Sequence, residues 1–239
     1  MHHSTTWFAQ LFGVDARIDH IAAALLVMVV LIAGSLLSFR AIKKAAGNPL
    51  PDGKLTIRNL MELAVESLDN LVQDVMGHEH GRHFTPIIGT LFVFIFVSNL
   101  LGVIPGFIPP TSNVNTNMAV ALIVFLLTHY EGIKAHGPGY IKHFMGPVVF
   151  LIPLMLAIEL VSHLVRPLSL TIRLYGNISG DHIVLGIFSN IWHTLGLSIP
   201  EVLIPVVFLF LGIFVSFVQA FVFSLLSMVY ISGAMAHDH

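Results

Sequence analysis

The chain has 239 residues, with 11 Lys and Arg against 13 Asp and Glu, a formal charge of −2, and no cysteine. That composition excludes disulfides, thiol catalysis and the usual zinc–thiolate sites, and it leaves no positive surplus for a nucleic-acid partner. With 56% hydrophobic and only 10% charged residues and a mean hydropathy of +0.87, this is a membrane protein, whose unit of reading is the span of about twenty apolar residues.

Residues 1–20 lack the basic start and apolar core of a secretory signal and read as a retained outer segment. Residues 21–39 form a first span. Over residues 55–76, Ile57, Leu60, Met61, Ala64, Leu68, Leu71, Val72 and Val75 recur at helical spacing, with Glu62, Glu66, Asp69 and Asp74 elsewhere on the surface. This predicts an amphipathic helix lying along the membrane or against a partner; its acidic face argues against simple attraction to anionic lipid. His78 to His83, HEHGRH, lacks the H-E-x-x-H spacing and reads as a short charged connection, so no metal is assigned.

A second span covers residues 87–105. The apolar run 117–130 is shorter and is read as a third span, although its length also suits a buried helix. Two long tracts follow, 147–190 and 200–236. As helices they would measure about 66 Å and about 55 Å against a hydrocarbon core of about 30 Å, so they must tilt, bend or lie partly along the bilayer. Pro153 and Pro167 permit a bend in the first. The expected fold is a single all-α integral membrane domain, 1–239. It has about five crossings, a strongly tilted C-terminal helical hairpin and one amphipathic interfacial helix.

Arg40, Lys43, Lys44, Lys54, Arg58 and Arg82 fall in the connection after the first span, and Lys134 and Lys142 in that after the third. Residues 107–116 and 191–199 contain no Lys or Arg. The positive-inside rule then puts the N-terminus outside and, after five crossings, the C-terminus in the cytoplasm.

The fourth tract carries the unusual chemistry. With Arg173 at zero on an ideal helix, Glu159 and Asn177 fall at about 40°, His163 and Asp181 at about 80°, and Arg166 at about 20°. On the other side of zero, Ser162 falls at about −20° and Ser169 at about −40°. These groups form a polar stripe about 120° wide on an otherwise apolar helix, and such a stripe must face protein or a water-filled cavity. His182 points about 180° away and needs a second polar environment. Some of these groups can satisfy one another, since Glu159 with His163 and Asn177 with Asp181 are spaced i, i+4, and Arg166 can snorkel. Arg173 lies about 12 Å along the axis from Asp181 and about 21 Å from Glu159, so its counter-charge must come from another element or another chain. In the fifth tract Gln219 is the only large polar group well inside the apolar run.

RPLSLTIRLYGN (Arg166 to Asn177), with glutamate fourteen residues before Arg173 and histidine nine after it, resembles subunit a of the F-type ATP synthase. So do SNLLGVIPG (Ser98 to Gly106), PTSNVNTNMAVAL (Pro110 to Leu122) and QAFVFSLLSMVYIS (Gln219 to Ser232). The resemblance runs from about residue 50 to the C-terminus. It implies an all-helical stator in a bacterial inner membrane, cradling a ring of c subunits beside the b-subunit peripheral stalk, with two offset half-channels and an essential arginine between them. That arginine is Arg173. Glu159, Asn177 and Gln219 match polar positions of the family, and His182 a position that holds glutamate or histidine. Such a subunit translocates ions, leaves ATP chemistry to other chains and carries no cofactor.

The chain departs from the family at three places. Asp181 stands where glycine is usual, Gly212 where many members carry an ionisable residue, and Asn113 where aspartate is common. The first two suggest that an ionisable group has moved from one hairpin helix to the other, so that Asp181 with His182 serves the outer half-channel. A secondary transporter is the alternative reading, but no repeat of the arginine-bearing tract occurs, and transporters are often built from repeats. An intramembrane hydrolase using Ser169 with His163 or His182 is also conceivable, but no G-x-S-x-G accompanies them.

Overall fold

The computed structural model describes residues 18–44, 56–104, 107–140, 152–195 and 200–236. Within them the helices are α1 (Asp19–Lys44), α2 (Ile57–Met76), α3 (His78–Leu101), α4 (Val114–His136), α5 (Ile152–Leu195) and α6 (Pro200–Met235), with short 3-10 turns at Pro110–Ser112 and Gly137–Gly139. Five segments are long and apolar enough to cross a bilayer: Asp19–Arg40, Gly81–Leu101, Val114–His136, Ile152–Gly180 and Leu209–Met235. The protein is an all-α, multi-pass membrane fold, with α2 as the amphipathic sixth helix. The expected outer segment falls almost wholly outside the described residues, as do Lys54, Lys142, Pro105 and residues 147–151.

Two boundaries differ from the sequence expectation. HEHGRH is the opening of α3, not a connection. Gly77, at φ 80° and ψ 154°, is the single residue between α2 and α3, a conformation that a side chain disfavours. The third span is also longer than its apolar run, 23 residues from Val114 to His136. Asn113 caps it by accepting from the Asn115 N–H at 2.9 Å, and Lys134 reaches back to Glu131 at 3.2 Å in the polar last turns. Asparagine caps a helix as well as aspartate does, which gives Asn113 a structural role.

The core is one cluster contributed by five helices: Val72 and Met76 of α2, Phe84, Ile88, Leu91 and Ile95 of α3, Val120, Ala121 and Val124 of α4, Leu170, Leu174 and Ile178 of α5, and Ala220, Phe223, Met228 and Ile231 of α6. Within each helix these residues recur mostly at three- or four-residue spacing, so each helix buries one stripe. α3 and α6 are pinned by aromatic rings, Phe217 standing edge-on to Phe92 and Phe96 at centroid distances of 5.9 and 6.2 Å. α4 packs between α5 and α6, and α1 leans on α3 and on the Pro110–Ser112 turn.

Two polar networks tie together elements that precede α5. Between α3 and α4, Thr111 Oγ1 donates to Asn99 Oδ1 at 2.7 Å and Asn117 Nδ2 donates to the Thr111 carbonyl at 2.7 Å, all three residues being buried. Between α2 and α3, Thr85 Oγ1 donates to Asp69 Oδ1 at 2.6 Å, Gln73 Nε2 to Asp69 Oδ2 at 2.7 Å, and His78 Nδ1 to Gln73 Oε1 at 2.5 Å.

Candidate functional site

α5 is continuous from Ile152 to Leu195, 44 residues, with Pro167 inside it. Pro167 has no N–H to give the His163 carbonyl, and Thr171 Oγ1 donates to the Pro167 carbonyl at 2.8 Å. The buried face of α5 is formed by His163, Pro167, Leu170, Thr171, Leu174 and Ile178, between about 60° and about 160° from Arg173 on the helical wheel. The opposite face, with Leu164, Leu168, Ile172 and Tyr175, is exposed and apolar.

The polar stripe runs along the border between these faces. Arg166 and Asn177 are half-buried, as is Glu159, and Ser169 and Arg173 sit beside them. Arg173 Nη2 donates to Ser169 Oγ at 3.5 Å, a long contact, and among the described residues Arg173 makes no ion pair. Among the described side chains of its own helix, Ser169 is the polar neighbour of Arg173.

Glu159 and His163 come together as their spacing predicts, His163 Nε2 donating to Glu159 Oε1 at 3.2 Å, with the glutamate side chain 41% exposed and the histidine 10%. Ser169 joins Arg173. Asn177 and Gln219 are both half-buried, on α5 and α6. Asp181 and His182 continue the helical backbone of α5, and their side chains lie outside the described residues.

Sequence reasoning missed the groups that surround His163. His129 of α4 faces it with ring centroids 5.0 Å apart, inclined at 65°. The Tyr140 ring stands edge-on to His129 at 6.1 Å and lies so close over Gly132 that a Cβ there would collide with it. Burial raises the Tyr140 hydroxyl above the ordinary tyrosine range, the Arg166 charge opposing this and the Glu159 charge adding to it. That tyrosine therefore stays neutral. Arg166 is held with Cζ 5.2 Å from the Tyr230 ring centroid of α6, a cation–π contact that keeps its charge beside the two histidines. A signal was available for His129, an ionisable residue four positions after Phe125 in a helix that must cross apolar surroundings, but nothing in the sequence told which neighbour it meets.

On the α6 side, Gly212 packs against Val103, a Cβ at that position falling 3.3 Å from Val103 Cγ2. Ser216 Oγ donates to the Gly212 carbonyl at 2.7 Å.

The family model described as ATP synthase A chain matches residues 21–232. ATP synthase subunit a of Trichlorobacter lovleyi is 47% identical over 225 residues, covering 94% of this chain and 90% of that one. ATP synthase subunit a 3 of Pelobacter propionicus is 44% identical, covering 94% and 91%, and ATP synthase subunit a of Geobacter sulfurreducens is 45% identical with the same coverage. With nearly its whole length matched and its arginine at the rim of a polar stripe, the chain belongs to the ATP synthase A chain family.

Proposed function

We propose that this chain is the stator subunit a of the F0 ion channel of an ATP synthase, in a bacterial inner membrane, facing a ring of c subunits and held by the b-subunit peripheral stalk. The observation that carries the reading is Arg173, a permanent cation at the exposed border of α5 with no ion-pair partner among the described residues. The apolar face beside it is as exposed as a lipid or ring contact requires.

The chemistry follows from the guanidinium. It stays protonated at any physiological pH, so it cannot relay a proton, yet its field favours the ionised form of a carboxylate brought beside it. A ring carboxylate passes Arg173 only when ionised, and protons must enter by one half-channel, ride the ring around and leave by the other. Each unit charge crossing about 100 mV supplies about 2.3 kcal/mol, and the barrier at Arg173 makes that work appear as rotation. Glu159 and His163 serve the cytoplasmic half-channel, at the end of the bundle that carries Arg40, Lys43, Arg82 and Lys134. Asp181 and His182 serve the outer one. Ser169, Asn177 and Gln219 line the path between them.

The test is ATP synthesis by complexes reconstituted in vesicles under an imposed gradient. Arg173→Gln assembles with the ring, because a side chain at the helix border takes a neutral replacement of similar length without leaving a cavity. Coupled synthesis is lost, by at least about 100-fold on the scale of a missing electrostatic group. Near-normal synthesis by this variant would sink the reading.

A further inference from the structure

We propose that His129 and His163 form a single-proton relay pair in the cytoplasmic half-channel, with Glu159 as the group through which the pair exchanges protons with the cytoplasm. This rests on the half-channel reading above and adds to it a residue from a second helix.

Three observations carry it. The first is tautomer and placement. A carbonyl oxygen can only accept, so the 2.8 Å contact between His129 Nδ1 and the Phe125 carbonyl puts the hydrogen on Nδ1 and leaves Nε2 of the neutral ring as a base. The 3.2 Å contact of His163 Nε2 with Glu159 Oε1 likewise assigns that hydrogen, and connects a buried ring to a carboxylate that is 41% exposed. The second is a recess of about 10 Å³ lined by Thr128, His129, His163, Arg166, Pro167 and Tyr230 among others. The recess is apolar where it is open, so the two rings meet by direct contact, their centroids 5.0 Å apart and their planes inclined at 65°. The third is charge.

The charged and titratable groups that face the pair are Glu159 and Arg166 of α5, Tyr230 of α6 and Tyr140 after α4. Tyrosine hydroxyls carry no charge at physiological pH. Glu159 and Arg166 offset each other, so one added proton gives the cluster a single positive charge, and a second would place three cations side by side against one carboxylate. The pair therefore takes one proton at a time and hands it on. A lone histidine bonded to Glu159 could accept a proton too, but His129 gives that proton a second place to stand on the side away from the carboxylate, toward α4.

The experiment uses the assembled complex in vesicles and measures ATP-driven proton pumping and ATP synthesis while only the pH at the cytoplasmic face is varied. In the unaltered complex the rate has an inflection with pH that belongs to the pair. The double variant His129→Phe, His163→Phe, which keeps two planar rings, loses the inflection and slows transport at least about tenfold, the lower end of what a positioned acid–base group contributes. His129→Gln with His163→Gln keeps hydrogen-bonding side chains without titration and must give the same loss. It also decides the matter where the phenylalanine pair fails to co-purify with the ring. An inflection retained at wild-type rate in either assembled double variant overturns the relay pair. Because such a result would leave Arg173→Gln inactive, it would not touch the subunit a reading, whereas near-normal synthesis by Arg173→Gln would remove both.

Discussion

The proposed outer path draws its ionisable group from α5, not from position 212 of α6. A Cβ at Gly212 stands 3.3 Å from Val103 Cγ2, tighter than ordinary contact, so a longer side chain there requires Val103 to give way by a few tenths of an ångström. In the proposed path the carboxylate is that of Asp181, about two helical turns past Arg173. Asp181→Asn combined with His182→Ala is therefore expected to slow ion-driven synthesis about tenfold or more while leaving co-purification with the ring unchanged, on the scale of a lost proton-transfer group. Synthesis at the unaltered rate would take these two residues out of the path. What the sequence made legible here depended on contrast. Arg173, Glu159 and His163 stand out because an ionisable group inside an apolar tract has few bland explanations. His129, near the polar end of its span, does not stand out, and its meeting with His163 is a product of how α4 packs on α5.

The helices were easier to foresee than their ends. Periodicity picks out the buried stripe of each span, but boundaries rest on caps and on single residues such as Gly77 and Asn113, where the apolar pattern is silent. α2 shows what periodicity does and does not give. Its apolar stripe predicts the helix, and Val72 and Met76 are buried against the core, whereas Leu60 and Met61 stay exposed, so the C-terminal half is the more deeply docked. The polar clamp explains which half. Asp69 accepts from Thr85 at 2.6 Å and from Gln73 at 2.7 Å, tying the second half of α2 to the first turns of α3. A hydrogen bond to a charged group contributes about 1.5–3 kcal/mol. Thr85→Val keeps the shape and removes the donor, so amide exchange over residues 57–76 is expected to quicken about tenfold while that of α3 holds. Exchange in α2 within about twofold of the unaltered protein would show that apolar packing alone holds it.

Taken together, the helices put the basic side chains at one end. Arg40 and Lys43 close α1, Arg82 opens α3 and Lys134 closes α4, while Asn113 and Asn115 sit at the opposite end beside the Pro110–Ser112 turn. The crossing part of α5, Ile152–Gly180, has 29 residues, about 43 Å of helix against a core of about 30 Å, so it crosses at an incline or protrudes. An inclined α5 would set positions 159 and 181 at different depths and different lateral positions, which suits the two offset half-channels proposed above. The proposed sidedness rests on this charge asymmetry, with the basic end toward the cytoplasm. The chain has no cysteine, so a single introduced thiol reports alone. Gly139 has open space around its Cβ direction and a φ outside the positive region, and the Asn115 side chain is exposed while its N–H, not its side chain, serves the α4 cap. Both sites therefore accept cysteine without strain. In inverted and right-side-out vesicles, a membrane-impermeant maleimide is expected to label Gly139→Cys only from the cytoplasmic face and Asn115→Cys only from the outer face. Reversed labelling of the pair would turn the molecule over, and with it the assignment of Glu159, His163 and His129 to the inner path and of Asp181 and His182 to the outer one.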